Sequence, residues 1–174
     1  TLDNITLFVR EYQKNATLKL GELLAIPTMR QLGLVENIRR MSRRVEARLV
    51  EVEKADEWAA RIMSANTESP AALTATLDDF INNHPPFTPN FVARFLHQVR
   101  GYQVNFTPLV WLEQWIAEDG PTAEVAVTRS NRMIALTQIT VSNCITSLRA
   151  IARLDWKEFV ESQSATEKIL RKDL

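Results

Sequence analysis

The chain has 174 residues, 45% of them hydrophobic, which is enough for a hydrophobic core of ordinary domain size. Lysine plus arginine and aspartate plus glutamate each number 21, so the formal net charge is zero, which argues against a nucleic-acid-binding protein. The single cysteine, Cys144, excludes an internal disulfide, and no stretch approaches the roughly 20 apolar residues of a membrane-spanning helix.

The first predicted element is a short helix that ends near residue 14. Glycine is scarce, and β-branched residues never alternate regularly with polar ones, so helices are favoured throughout the chain. Asp3 or Asn4 can cap this helix. The spacing predicts that Leu7, Phe8 and Tyr12 lie on its inner side.

The second predicted element is a long helical segment over residues 18–65. Pro27 is expected to kink or divide it, because proline lacks a backbone donor and clashes with the preceding turn. Beyond Pro27, apolar residues recur at steps of three and four, which indicates one inward face: Leu34, Ile38, Met41, Val45, Leu49 and Val52. The opposite face is rich in arginine and glutamate.

Cap-and-proline pairs predict the starts of the next helices. Ser69 precedes Pro70, and the same three residues, Phe-Thr-Pro, occur at 87–89 and at 106–108. In each pair the hydroxyl side chain is the expected cap and proline is the expected first helical residue. Gly101 separates the two Phe-Thr-Pro helices, which suggests a helical hairpin.

The last long helix is predicted to run from about residue 122 to residue 153. Its residues 133–148 carry no charge, so we expect them to form the most buried helix, with Ile134, Val141, Ile145 and Leu148 in one stripe. Asp155 is the expected cap of a final helical segment. The sequence thus predicts an all-α, multi-helix bundle with two long helices and a central uncharged helix. Residues 1–174 are expected to form a single domain, a fragment of a larger protein.

Residue chemistry alone predicts no catalytic residue, cofactor or metal site. His84 and His97 are the only histidines, and neither has a cysteine or carboxylate cluster at ligand spacing. Cys144 lies in the uncharged run and is expected to be a buried, inert thiol. There is no glycine-rich phosphate loop.

Two residue clusters have both a functional and a structural interpretation. The arginines of residues 39–48 could bind an anionic ligand or acidic lipid heads, although the interspersed glutamates favour a solvated helix face. The four tryptophans could form a sugar-stacking platform, although packing in a core or an interface is the better interpretation: Trp58, Trp111, Trp115 and Trp156.

Three stretches of the chain resemble the cyclic β-1,2-glucan synthases, very large inner-membrane proteins of Gram-negative bacteria. The first covers residues 8–13, 18–23, 25–27 and 34–40; the second, a weaker match, covers 107–113; the third covers 141–149 and 155–162. We interpret the positions that match the family's pattern as structural anchors of the fold: Gly21, Glu22, Pro27, Glu36, Asn37, Arg39, Arg40, Asn143, Arg149, Asp155 and Trp156.

The resemblance implies a helical region ahead of the glycosyltransferase unit, on the cytoplasmic side of the inner membrane. In that family the full-length protein polymerises glucose from UDP-glucose, cyclises the glucan and trims it with a phosphorylase-like module. The spaced aspartates and the Gln-x-x-Arg-Trp type of motif found in processive glycosyltransferases are absent from these residues. The resemblance therefore implies location rather than catalysis, with the other modules of the same polypeptide, and the membrane surface, as expected partners.

Three functional hypotheses follow. The leading one is a non-catalytic accessory or scaffold domain of a cyclic β-1,2-glucan synthase. The second is a small helical-bundle enzyme acting on an anionic metabolite, with three arginines as clamps and a glutamate as acid or base: Arg39, Arg40, Arg149 and either Glu36 or Glu22. The third is a peripheral adaptor that places its arginine face against lipid. An enzyme needs those arginines around one pocket, whereas a brace would hold them in buried pairs.

Overall fold

The computed structural model describes residues 2–101 and 108–170, and within these ranges every regular element is a helix. The all-α prediction is therefore confirmed, as are the two long helices. The helices in chain order are α1 (Leu2–Tyr12), α2 (Leu20–Glu68), α3 (Pro70–Asn83), α4 (Pro89–Gly101), α5 (Leu109–Asp119), α6 (Ala123–Ala152), α7 (Trp156–Gln163) and α8 (Ala165–Leu170). Pro27 lies inside α2 and does not divide it.

Two predicted helix starts, at Ser69 and Thr88, are confirmed by capping bonds, whereas α1 already begins at Leu2, so Asp3 and Asn4 lie inside it rather than at its cap. The amide of Ala72 donates to the Ser69 hydroxyl at 3.1 Å, and Pro70 is the first residue of α3. The amide of Phe91 donates to the Thr88 hydroxyl at 3.2 Å, ahead of α4. The cap expected at Thr107 lies outside the described residues, and α5 begins one residue after Pro108.

The chain forms two compact units, and α2 and α6 each contribute residues to both of them. Unit 1 takes its described residues from 1–40 and 140–174, and unit 2 comprises residues 41–139. The expectation of a single domain over residues 1–174 stays a prediction.

Unit 2 is built around aromatic side chains. Phe80 of α3 is fully buried, and its ring centroid lies 5.0 Å from that of Trp58, 5.1 Å from Phe95 and 5.8 Å from Trp115. Small residues of α2 face the same core, since Ala55 and Ala59 are buried in it. Without large side chains at these positions, α2 can approach its neighbours closely.

Unit 1 has a smaller core made by α1, the start of α2, and α7. Ile5, Val9 and Leu23 are buried there with Phe159 and Val160. Trp156 packs against this cluster, and its indole nitrogen donates to the carbonyl of Ile151 at 2.9 Å. That bond ties the start of α7 to the last turn of α6.

The structure corrects the prediction that residues 133–148 form the most buried helix. Met133, Leu136, Ile139 and Ile145 are exposed, Ile139 by 57%. The buried residues of α6 are instead few and mostly small: Ala126 and Ser130 in unit 2, and Cys144 and Ile151 in unit 1. An uncharged sequence is apolar on several sides, so its periodicity does not determine which side is covered. The burial predicted for Cys144 is confirmed.

The inner face predicted for α1 is also wrong. Leu7, Phe8 and Tyr12 are exposed, and Phe8 stacks on Tyr12 at the surface with the ring centroids 6.3 Å apart. Ile5 and Val9, four residues apart, form the buried face instead. On α2, Val45 and Leu49 of the predicted inward stripe are likewise exposed, whereas Met41 is buried.

Candidate functional site

Unit 2 contains two adjoining cavities, of about 230 Å³ and about 280 Å³, lined by α2, α4 and α6. Arg48, Asn90 and Ile134 line both of them. The smaller cavity is completed by Arg44, Val45, Met133, Thr137 and Gln138, and the larger by Val52, Ala93, Arg94, His97, Val127, Ser130 and Asn131.

Helical spacing explains why these side chains meet. Arg44, Arg48 and Val52 are four residues apart on α2 and therefore share one face. Asn90, Arg94 and His97 follow at steps of four and three on α4, whose first turn is fixed by the Thr88 cap. The lining residues of α6 recur in the same way. Each helix thus contributes a stripe that mixes polar and aliphatic groups.

Asn90 is the centre of a hydrogen-bond chain that joins the three helices. Its amide nitrogen donates to the Glu51 carboxylate at 2.7 Å, and the hydroxyl of Ser130 donates to its amide oxygen at 2.9 Å. Ser130 is buried, so this bond satisfies a hydroxyl that would otherwise be costly to bury. These hydrogen bonds hold Asn90, which lines both cavities, in a fixed position.

A second polar group, beside the larger cavity, is an ion pair. Arg94 donates from Nε to Oδ1 of Asp56 at 2.7 Å and from Nη2 to Oδ2 at 3.0 Å, and the amide of Gln98 donates to Oδ1 at 2.8 Å. The Arg94 hydrogen bonds lower the pKa of the Asp56 carboxyl from its ordinary value, against an opposing effect of burial. The same bonds raise the pKa of Arg94. The charge of Arg94 is therefore largely neutralised within the protein.

Arg48 differs from Arg94. Its Nε atom is buried and donates to no acceptor among the described residues. Among the described side chains that line the two cavities there is no aspartate or glutamate. The cavity walls thus offer guanidinium, amide and hydroxyl groups next to aliphatic surface, and Arg48 has no paired charge of its own there.

The residues proposed as enzyme clamps are not assembled into such a site. Arg39 pairs with Glu36 through two bonds of 2.6 Å on the exposed surface of α2, and Arg40 and Arg149 are exposed. Glu22 accepts a hydrogen bond from the backbone amide of Lys19 at 2.7 Å, as a cap at the start of α2. Arg39 therefore does not form the common pocket expected of an enzyme. It does not form the buried pair expected of a brace either.

The other family-like positions divide into capping and surface roles. Asp155 accepts from the backbone amide of Glu158 at 3.0 Å, which confirms it as the cap of α7. Trp156 is anchored to Ile151, and Asn37 and Asn143 are exposed. The roles of the whole set as fold-defining anchors stay a prediction.

The tryptophans and His84 have packing partners. The Arg61 guanidinium lies 4.1 Å from the Trp58 ring centroid, and Arg61 also pairs with Asp79. Trp111 stacks on Trp115 with centroids 6.0 Å apart, and His84 stacks on Phe87 at 4.2 Å. In residues 2–101 and 108–170, no group of three or more histidine, cysteine, aspartate or glutamate side chains has a geometry that could hold a metal ion.

The sequence indicated the arginine cluster but not which arginine has an inward position. Arg43 and Arg44 are exposed, as a solvated face predicts, whereas Arg48 is half-buried. His97 and Asn90 gave no signal as lining residues, because their neighbours on α2 and α6 are about 40 residues away in the chain.

The described residues therefore define an all-α module with two adjoining cavities of mixed polar and aliphatic lining, and the residues that the sequence nominated for catalysis are not assembled there. No family model matches the chain, and no solved structure matches it. The chain is 32% identical over 173 residues to the cyclic beta-(1,2)-glucan synthase NdvB of Rhizobium meliloti (strain 1021). The match covers 98% of this chain and 6% of that relative.

The resemblance to the cyclic β-1,2-glucan synthase family that was drawn from the residues is therefore confirmed. The chain spans only a small part of its relative's length. Across the portion of the chain that the structure describes, no helix is both long enough and apolar enough to cross a membrane.

Proposed function

We propose that the chain is a non-catalytic helical accessory domain of a cyclic β-1,2-glucan synthase. It braces or positions the glycosyltransferase and phosphorylase-like modules of the same polypeptide, on the cytoplasmic side of the bacterial inner membrane. The full-length protein is the enzyme in this proposal, and it polymerises and cyclises glucose from UDP-glucose.

The similarity to NdvB supports the family context, because it extends over nearly the whole chain. The arrangement of Arg39, Arg40 and Arg149 gives no support to the enzyme alternative, since these residues are exposed and do not line the cavities of unit 2. No described contact favours the lipid-adaptor alternative.

The observation that carries the accessory role is the exposure of large apolar side chains in unit 1. Six side chains of α1 and α2 are more than half exposed: Leu7, Phe8, Leu24, Met29, Leu32 and Val35. Phe8 and Met29 are 68% and 66% exposed, and both line one cavity of about 330 Å³ between α1 and α2. Isolated exposed apolar residues are ordinary, but a groove with an aromatic and a methionine at its rim is typical of an interface.

The occupant we propose is another module of the same polypeptide. A neighbour that covers Met29 and Phe8 would remove their apolar area from water, which stabilises association by about 25 cal/mol per Å² before the costs of ordering. The rest of the synthase is tethered to this chain, so its effective concentration is high and a groove of this size suffices.

The test is a charge placed in the groove of the full-length synthase. Met29→Glu should lower the production of cyclic glucan in cells, because it buries a carboxylate in the proposed contact. Thr28→Glu is the matched control, since Thr28 is the exposed neighbour that does not line the cavity. Synthase abundance is measured by immunoblot for both variants. Equal glucan production by Met29→Glu, Thr28→Glu and wild type would contradict the accessory role.

A further inference from the structure

The feature that the accessory role leaves unused is the pair of cavities in unit 2. Arg48 lines both cavities, and its Nε–H is shielded from water and donates to no acceptor within residues 2–101 and 108–170. A buried charged donor without an acceptor is unfavourable, and an acceptor in the cavity would remove that penalty if the Arg48 side chain turned its Nε–H towards it.

The charged groups around Arg48 indicate what charge such an acceptor would carry. Asp56 is occupied by two bonds from Arg94, and Glu51 accepts from Asn90. The described lining of the two cavities contains no carboxylate, and Arg44 adds a second guanidinium to the wall of the smaller one. The described lining therefore does not balance the positive charge of Arg48, which favours an anion.

The shape and lining select the class of ligand. A guanidinium edge binds two oxygens of a carboxylate or a phosphate at once, and such charge-assisted pairs are the strongest hydrogen bonds in proteins. Val45, Met133 and Ile134 supply an aliphatic wall, while Thr137 and Gln138 supply further polar groups. About 230 Å³ is below the usual range of roughly 300–1,000 Å³ for drug-sized ligands, so the ligand is small.

We propose that unit 2 has a binding site for a small oxyanion-bearing molecule, a carboxylate or a phosphate ester with a short apolar portion, and that Arg48 is its principal ligand-binding residue. Arg44 contributes charge from the rim, and Asn90 is held in position by its bonds to Glu51 and Ser130. The site goes beyond the accessory role and does not depend on it. It differs from the clamp of Arg39, Arg40 and Arg149 that the sequence suggested.

The experiment follows the Nε–H resonance of Arg48 in the ¹⁵N-labelled 174-residue chain. The probes are phenyl phosphate, benzoate and inorganic phosphate at constant ionic strength, with phenol as the uncharged control. We expect a saturable shift of the Arg48 resonance with phenyl phosphate or benzoate, tighter binding than for inorganic phosphate, and no shift with phenol. The stronger of phenyl phosphate and benzoate identifies the head group.

Two variants separate a site from general attraction to arginine. Arg48→Gln should weaken binding by about tenfold or more, the effect expected for losing a bidentate charge-assisted pair. Arg43→Gln removes the same charge from an exposed position of the same helix and should change the affinity by less than about twofold. Equal effects of the two substitutions would overturn the proposal.

The wild-type titration decides the matter even if Arg48→Gln fails to fold. An Arg48 resonance that does not move with any of the three oxyanions, or that moves equally with phenol, contradicts the site. A shift that grows linearly with concentration and never saturates also contradicts it.

Discussion

Arg94 and Asp56 form a two-bond ion pair that joins α4 to α2 within unit 2, with Nε–Oδ1 and Nη2–Oδ2 distances of 2.7 Å and 3.0 Å. The pair fixes the orientation of α4 beside the larger cavity and neutralises Arg94. It leaves Arg48, another arginine of the cavity lining, as the guanidinium with an unused buried donor. The two arginines therefore have different roles, although both lie at the same cavity.

The pair gives the stability of the chain a defined dependence on pH. Hydrogen bonding to Arg94 lowers the pKa of Asp56 in the folded state. The pair therefore stabilises the fold fully above the unfolded pKa of about 3.9, and this contribution is lost as pH falls through the lower folded pKa. Asp56→Asn should lower the free energy of unfolding near neutral pH by less than about 1 kcal/mol, because both side chains are more than a third exposed.

Urea denaturation at about pH 7 and about pH 2.5 measures this difference. We expect the gap between wild type and Asp56→Asn to narrow at the lower pH. Asp78→Asn, at an exposed position of α3, keeps the Arg94 pair and should show the wild-type loss on acidification. If the difference in the free energy of unfolding between wild type and Asp56→Asn were larger at the lower pH, the assigned role of this ion pair would be contradicted.

Gly120 and Phe87 approach too closely for a side chain at position 120. A Cβ on Gly120 would lie 2.7 Å from Cβ of Phe87 and 3.0 Å from the carbonyl oxygen of Ile116. Neither atom is the end of a flexible side chain, so Gly120→Ala should destabilise the chain by about 1–3 kcal/mol.

Gly33 provides the matched alanine substitution. It lies inside α2, and no described residue outside its own stretch of helix backbone comes within 4 Å of an added Cβ, so Gly33→Ala should stabilise the chain by about 0.5–1 kcal/mol. Thermal denaturation of both variants is the measurement. Similar melting temperatures for the two would show that the close approach of Gly120 to Phe87 is not constraining.

Phe80 lies in the aromatic core of unit 2 and contacts several of its rings. It is fully buried among Trp58, Phe95 and Trp115. Phe80→Ala should therefore cost about 3–5 kcal/mol, the range for deleting a buried phenylalanine ring. Ile139→Ala, at a 57% exposed position of α6, should change stability by less than about 0.5 kcal/mol.

The same reasoning revises the expectation for position 145. A fully buried Ile145 would make Ile145→Asp unfold the domain, but this residue is 39% exposed. We therefore expect a soluble, cooperatively melting variant. Circular dichroism during heating checks both this variant and Phe80→Ala, and loss of cooperative melting in Ile145→Asp would support a buried position after all.

The accessory role also makes a catalytic prediction. The purified 174-residue chain should neither hydrolyse nor transfer glucose from UDP-glucose, because the nominated acid–base and clamp residues are not brought together. Release of UDP is the measurement, with heat-treated protein as the control. Turnover above that control would favour the enzyme alternative.

The local features of the fold could be predicted from the sequence. Ser69, Thr88 and Asp155 cap the helices that they were expected to cap, because a cap depends on a hydroxyl or carboxylate and the amides two or three residues ahead. The all-α class followed from the same short-range patterns.

The buried faces could not be predicted in the same way. On α1 the apolar residues surround the helix, so the choice of Ile5 and Val9 over Leu7 and Phe8 depends on what α2 and α7 offer. The core face of α2 in unit 2 includes Ala55 and Ala59, which contribute little to a hydrophobic pattern and instead permit close approach.

One part of the candidate site could be predicted from the sequence and another could not. The sequence identified the arginines of residues 39–48 as a cluster, but their spacing did not predict which of them would be buried. Only the packing of α4 and α6 onto α2 distinguishes Arg48, whose Nε is buried, from Arg43 and Arg44, which are exposed. Such tertiary packing has no signature within the helix itself.

The measurement that tests the accessory role most directly is photocrosslinking from position 29 in the full-length synthase. A benzophenone amino acid replaces Met29, whose side chain is 66% exposed in the groove of unit 1, and a second preparation carries it at Thr28. The account predicts crosslinks from position 29 to another module of the same polypeptide, identified by peptide mass spectrometry, and far fewer from position 28. Crosslinks from position 29 only to lipid or to other proteins, or equal patterns from the two positions, would contradict it.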